Sequence, residues 1–527
     1  MRPRAVPRPP APRPDRAPSP RAPTAPPTVP PRPPHAGPGK LHNNDIRYKH
    51  FLDGDGCMIR FAFDGEGRAH FKSRYVRTPE YEEEEAAGKM LYRHVFGTQP
   101  TDRSLFMDMK FKNPGNGNAV AWGGRVHAHF FGDVPYVLDP HTLETVGKET
   151  LGGNLRSSDF PGYTGDLFGP EVGEVVDRAM GHGRAFCTDP HFVAEDRASW
   201  PSRGDRQVCW SWAFHISPAR FFRVYMQFME FDREWELQSK ISFTSDEGCY
   251  APHDFGVTES YIVLPQSRTK MDMTPAFLGK SGAATCYKVA EGNTRVHLID
   301  RRSGADQAFE LEGEYLILHV GGACERGDGV VDMYCTGWKP ELVTKVARGE
   351  ASFGELGPWG AAMRGDFSQI VQTQLFHIRM DTRAGTATRR TLREEYSEFA
   401  QANTLWYSRP ISTLWFVGGA GDAEVASPPQ KVLSMNVLTG ESREWYCGPE
   451  CFANEALFVP REGSGERETC GYIAALCFDG ARRRSFLAIL DAEDVSQGPL
   501  CKLWLRHHVP FTVHGTWTTD YFGPRAA

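Results

Sequence analysis

From about His42 onward the chain alternates short runs of β-branched and aromatic residues with glycine, proline, asparagine and aspartate, spaced every 8 to 15 residues. That pattern predicts strands joined by polar turns. One unit recurs: Ala119–Trp122, a Gly123-Gly124 turn, Val126–Phe131, then Pro135–Asp139. Related hairpins run over Lys431–Asn436, turning through Gly440, and over Phe486–Asp491 before Leu500–Trp504. Many such meanders in one long chain favour a propeller over a sandwich, because radial repetition leaves only short edges. Helical signals are few. Pro79–Tyr92 carries acids early and bases late, as a helix dipole prefers, and predicts a surface helix. A second short helix over Thr391–Ala402 competes with a site role for its glutamates.

Composition changes the picture mainly at the amino terminus. Residues 1 to 39 hold 16 prolines and seven arginines, a composition that cannot bury enough apolar surface to fold. The expected division is a disordered tail over 1–41 and one β domain over 42–527. The tail is rich in arginine and poor in acid, so a plastid address stands as the alternative to a cytoplasmic protein. The net charge of −6 is spread along the chain, which gives no footprint for nucleic acid. The 12 cysteines are scattered, without the density of a secreted disulfide scaffold. Cys447 and Cys451 form a close pair, readable as half a zinc site or a disulfide, with no second pair to complete it. No run of residues is long and apolar enough for a membrane span. A monomer that is soluble or rests on a membrane surface is expected.

Three histidines stand at the edges of strand-like runs: His253 in Pro252-His-Asp-Phe255, His319 at the end of Tyr315–His319, and His514 before Gly515. Separations of 66 and 195 residues exclude a finger or a single-helix metal site. They allow a ring of strands, each offering one imidazole to a common axis. Taken singly, each is more ordinarily a partly buried histidine bonded to backbone. His127 and His129, alternating on one strand face, read as structural, and the adjacent His507 and His508 point to opposite faces.

The ordered set Phe51–Gly56, Arg74–Thr78, Phe96-Gly-Thr98, Pro135–Pro140, Pro252–Phe255, Phe458–Arg461, Ile489–Asp494 and His514-Gly515 resembles the carotenoid cleavage oxygenase family, from about residue 45 to the end. The resemblance implies a seven-bladed all-β propeller with a few short helices on one face, and one ferrous ion, Fe(2+), held on the axis by histidines with glutamates behind them. By position, His253, His319 and His514 match iron ligands, and Glu398 and Glu455 match outer glutamates that orient imidazoles. A neutral nitrogen donor suits Fe(II) and leaves positions open for dioxygen.

Three positions depart from the family pattern. Asp189 stands where the first histidine ligand is expected, Phe131 where a third outer glutamate is, and Gly117 where many members carry a threonine facing the open side of the iron. Three arrangements of the fourth position remain open: Asp189 as an oxygen ligand, a two-residue slip that presents His191, or a degenerate site. The implied activity is cleavage by O2 of a carbon-carbon double bond in an apolar polyene, a carotenoid or apocarotenoid, giving carbonyl products. The alternatives are a stilbene-type oxygenase, a retinoid isomerase, or a propeller that only binds its polyene. Phe131, Trp210, Trp212, Phe255 and Trp517 are candidates to line an apolar tunnel, and a hydrophobic rim for membrane association is expected at its mouth.

Overall fold

The computed structural model describes residues 34–43, 46–159, 161–186, 190–193, 206–217, 223–246, 253–351, 372–406, 409–421, 427–461 and 467–524. Seven sheets of three or more strands, antiparallel except for a short parallel pairing of Gly162–Tyr163 with Phe214–His215, follow one another along the chain. Blade 1 comprises Pro34–Pro38, Gly56–Phe63 and Ala69–Tyr75. Blade 2 runs from Asn118–Trp122 to Thr145–Lys148, and blade 3 is built on Arg206–His215, Val224–Asp232 and Leu237–Thr244. Blade 4 starts at Gly256–Val257, blade 5 at Ile317–Gly327, blade 6 at Ser397–Gln401 and blade 7 at Cys451–Pro460. The result is the seven-bladed β-propeller.

A blade is packed on both faces, and the sequence of its strands shows why. In blade 7, Ile473, Ala475 and Cys477 enter the cluster shared with blade 6, while the intervening Ala474 and Leu476 enter the one shared with blade 1. In blade 6, Trp415 and Val417 point towards blade 7 and Phe416 towards blade 5. Strands buried on both faces therefore read as continuous apolar runs instead of alternating ones. Six such clusters lie between successive blades and return to the start, the last of them joining Val459 and Tyr472 of blade 7 to Ile59 and Phe61 of blade 1.

The two ends of the chain close the ring together. The Ala36 amide donates to the His514 carbonyl at 2.9 Å and the Val513 amide to the Ala36 carbonyl at 2.8 Å. Gly37 must be glycine, since a Cβ there would collide with the Phe511 carbonyl oxygen. Folded chain thus begins before the expected boundary at residue 42: the segment Pro34–Pro38 pairs with Gly56–Arg60. Its prolines stand at the two ends of the strand, leaving His35 to Gly37 to supply the amides.

The predicted helix is present over Pro79–Ala87, capped by the Thr78 side chain and ended by Gly88 at φ 62°. It is less superficial than expected, because Glu84 is buried and meets Lys112 Nζ at 2.6 Å. The helix expected over Thr391–Ala402 is absent; strands Thr386–Arg393 and Ser397–Gln401 occupy that stretch. The ten described cysteines are free, and the Cys447 thiol donates to the backbone carbonyl of Cys451 at 3.0 Å. No helix among the described residues is long and apolar enough to cross a membrane.

Candidate metal centre and its cavity

The first strand of each blade lines the axis, and the site residues sit where those strands are irregular. The register of Ile317–Gly327 shifts on both sides of Val320, next to His319. That of Ser397–Gln401 shifts after Glu398, and that of Cys451–Pro460 shifts between Ala453 and Ala456, around Glu455. A β-bulge bends its strand and re-aims a side chain. Here bulges turn three candidate side chains, His319, Glu398 and Glu455, towards one place. Phe399, which follows Glu398, takes a left-handed φ of 54°, a conformation that costs energy in a non-glycine residue. Its ring stacks on His319 at 5.3 Å and meets His514 edge-on at 5.2 Å.

The three expected imidazoles come together. The centroids of His253 and His319 are 5.0 Å apart, and those of His319 and His514 are 4.9 Å apart. A divalent ion about 2.1 Å from each ring nitrogen lies roughly 3.2 Å from each ring centre, so two imidazoles subtending about 100° at it have centroids about 5 Å apart. Among the described residues no group of three or more His, Cys, Asp or Glu stands at metal-holding distances; the spacing of these ring pairs, not a closed donor set, is what favours a shared ion. The donor chemistry fits as well. Nδ1 of His319 faces Glu398 Oε2 at 2.6 Å, and Nδ1 of His514 faces Glu455 Oε1 at 3.1 Å. A carboxylate on one ring nitrogen fixes the tautomer and leaves the other nitrogen as the donor.

Both carboxylates are themselves held. The Phe399 amide donates to Glu398 at 2.9 Å and the Gly515 amide to Glu455 at 2.8 Å. Burial pushes the Glu398 carboxyl up, but the charge and hydrogen bond of His319 and the Phe399 amide outweigh it, and its pKa lies below the usual value. His514 is fixed from two sides, bridging to Asn118 of blade 2 while its neighbour Gly515 bridges to His35 of blade 1.

The other expected positions fall differently. Asp189 lies outside the described residues. His191, the slipped alternative, is turned to Asp254, with its Nε2 3.1 Å from Oδ1. Asp254 also accepts from the Val320 amide at 2.6 Å and so ties the His253 segment to the His319 strand. Phe131 and Gly117 both face the large cavity described below. Phe131 packs against Phe130 and Phe96, with centroids 4.7 and 5.7 Å away. Of the expected tunnel aromatics, Trp210 and Trp212 line that cavity, whereas Phe255 is fully buried in the core and Trp517 borders a small axial pocket on His319 and His514. His127 and His129 are buried in blade 2, away from the cavity. The bulges and Phe399 carry no marker in the local sequence; only the positive φ and the register shifts reveal them.

His253, His319 and His514 open onto a cavity of about 1470 Å³. Its wall is largely aromatic and apolar, including Phe96, Phe111, Trp212, Tyr396 and Phe452. A space of this size and polarity suits an elongated apolar molecule.

Comparison with known proteins gives a consistent picture. A family model described as "RPE65: Retinal pigment epithelial membrane protein" matches residues 35–519. An apocarotenoid-15,15'-oxygenase from Synechocystis is 29% identical over 91% of this chain and 89% of that protein. A chloroplastic carotenoid cleavage dioxygenase 7 from rice is 24% identical over 92% of this chain and 85% of its own length. A lignostilbene-α,β-dioxygenase isozyme from Sphingomonas paucimobilis is 23% identical over 90% of this chain and 88% of its own. The solved structure of cobalt-substituted Synechocystis apocarotenoid oxygenase superimposes with a TM-score of 0.79 at 26% identity, covering 94% of this chain and 93% of that one.

Proposed function

This chain belongs to the RPE65 and carotenoid cleavage oxygenase family, and from that premise we propose that it is a non-haem iron(II) dioxygenase cleaving a carbon-carbon double bond of a carotenoid or apocarotenoid to carbonyl products. The observation that carries the proposal is the set of three imidazoles at the floor of an aromatic cavity, two of them backed by buried carboxylates. In this reading His253, His319 and His514 hold the ion. A ferrous ion there supplies the redox chemistry that activates dioxygen.

The residues of the chain do the rest. Glu398 and Glu455 each keep a proton on Nδ1 of an imidazole and hold the opposite nitrogen towards the axis. Phe399, wedged between two of the rings, limits their rotation. The cavity wall excludes water and positions the polyene, and that positioning replaces acid-base assistance as the protein's contribution. Beside the mouth, Leu167, Phe168, Val172, Val175 and Met180 are 49 to 67% exposed. We assign this apolar lip the task of resting on a membrane surface from which the substrate is drawn.

The test is incubation of iron-loaded protein with carotenoids, apocarotenoids, stilbenes and a retinyl ester under 18O2. Labelled aldehydes from a polyene are the expected result. Cleavage of stilbenes alone moves the chain to the stilbene class. A protein that takes up less than one-tenth of an equivalent of iron yet binds polyenes is a binding propeller, the reading that Asp189, Phe131 and Gly117 motivate. For the tail, a plastid address is checked by fusing residues 1–41 to a fluorescent protein.

A further inference from the structure

Away from the axis, one group of side chains is placed for chemistry that the metal site does not use. The link between blades 6 and 7 leads from the outer strand Ser442–Tyr446 to Cys451–Pro460, the strand that carries Glu455. It turns sharply, the Cys451 amide donating to the Gly448 carbonyl at 3.2 Å. Gly448 takes a φ of 128°, and a Cβ there would stand 3.6 Å from that of Cys451. The turn folds Cys447 back onto Cys451. The Cys447 Sγ lies 3.0 Å from the Cys451 carbonyl oxygen and 2.9 Å from that of Gln430. A third thiol comes from the neighbouring strand: Cys477 pairs with Ala453 and enters the same packing cluster as Cys451. Both Cys447 and Cys477 hydrogen-bond the Cys451 sulfur.

These contacts make the three thiols unequal. The hydrogen bonds from Cys447 and then from Cys477 favour the anion on Cys451 more than burial opposes it, Lys502 adds a positive charge, and the thiol pKa falls well below the ordinary value. Lys502 is kept nearby by two rings, its Nζ 5.6 Å from the centre of Trp445 and 4.8 Å from that of Phe486. Cys447 retains its proton, because the bond to Cys451 and burial both push its pKa up. Cys477 is fully buried, and burial has the same effect there. The result is a thiolate, 5% exposed, beside a half-buried thiol. Thiolate character in a positive, partly accessible setting is what makes a cysteine reactive. A bond between Cys447 and Cys451 would close a very short loop and so constrain the unfolded chain less than a long one, which sets it apart from a structural staple.

We propose that Cys451 and Cys447 form a peroxide-reactive pair, in which Cys451 attacks hydrogen peroxide and Cys447 converts the product to a reversible disulfide. This modification site is independent of the oxygenase reading. In the first step the Cys451 sulfur takes one oxygen: an S–O bond forms, the O–O bond breaks and hydroxide leaves. Cys451 is then no longer an anion, and the charge that kept the proton on Cys447 is gone. In the second step the Cys447 sulfur attacks that of Cys451. The S–S bond forms, the S–O bond breaks, and the Cys447 proton leaves with the oxygen as water. The two sulfurs together lose two electrons, and the peroxide is reduced to hydroxide and water. Cys447 is free to make this move, since the Gln430 carbonyl that its thiol releases still accepts from the Cys447 amide at 2.9 Å.

The experiment treats the reduced full-length chain, purified without added iron, with one equivalent of hydrogen peroxide and follows each cysteine by peptide mass spectrometry. The expected product is a disulfide between Cys447 and Cys451 that dithiothreitol reverses. It should form at least about tenfold faster than oxidation of the half-buried Cys470 and Cys501, because the thiolate is the reacting species. In Cys447→Ser the oxygen stays on Cys451, where dimedone captures the sulfenic acid. In Cys451→Ser, oxidation of Cys447 slows by about tenfold or more. Oxidation of Cys470 or Cys501 as fast as that of Cys451 overturns the proposal. A bond from Cys451 to Cys477 also overturns it, by making the buried thiol the partner. Should either variant fail to fold, the wild type quenched early with dimedone decides: an adduct on Cys451 supports the proposal, and one on Cys447 overturns it.

Discussion

The two sides of the hub are built on different principles. On the side of blades 5, 6 and 7, His319 and His514 each have a carboxylate behind them, and each carboxylate is pinned by a backbone amide. On the side of blade 2, the corresponding ground is aromatic: Phe131 leans on Phe96, and Phe96 stacks on the buried His50 with centroids 4.5 Å apart. The carboxylate side orients ring nitrogens and still supplies Tyr396 and Phe452 to the cavity wall. The aromatic side gives up an orienting acid and gains apolar wall. On the proposed reading, support for the ion lies on the carboxylate side alone, whereas both sides wall the cavity that would take the substrate.

The largest effect expected from breaking this division is loss of a ligand. His319→Ala should abolish iron binding and lower cleavage by more than about 10³-fold, since an open position replaces a donor; plasma emission for iron on the purified variant checks it. Next comes the support of the ligands. Glu398→Gln removes the charge behind His319 and should weaken metal affinity about 10- to 100-fold, measured by competition with a chelator. A variant that still folds and keeps wild-type affinity would show that the carboxylate side does no orienting.

The asymmetry was only partly legible in the chain. His253, His319 and His514 could be found because each ends a strand-like run within a short recognisable motif. Glu398 was harder: with Glu394 and Glu395 it forms a helix-like spacing, and local pattern says nothing of the pairing with Thr413–Gly419 that makes this stretch a strand. Phe399 was invisible, because a left-handed bulge residue has no sequence signature when it is not glycine. The clasp at Pro34–Pro38 was read as part of the tail, since its prolines mask a strand whose partners lie at the far end of the chain.

The aromatic side is predicted to respond to acid. Burial pushes the His50 imidazole down to about 3, while in the unfolded chain it titrates near about 6.5. Below that value the unfolded state binds a proton that the folded state refuses, so stability falls as pH drops from about 6.5 towards 3, by up to about 1.4 kcal/mol per unit. Urea unfolding at pH 7 and pH 5 should show a smaller difference in His50→Asn than in the wild type. The smallest effect is expected from Phe131→Glu. An acid placed in that wall should cost roughly 1–2 kcal/mol of stability and raise iron affinity by no more than about threefold, because its aromatic neighbours remain. A larger gain would mean that the two sides can be made alike by one residue.

The meeting of Ala36 with Val513 and His514 sets a timetable for the newborn protein. His514 lies 478 residues along the chain (514 − 36) from Ala36, the residue on which its backbone is seated. On the proposed reading, His514 joins the other ligands only once these two distant segments have met, so the ion would be bound late in folding, after the ring closes.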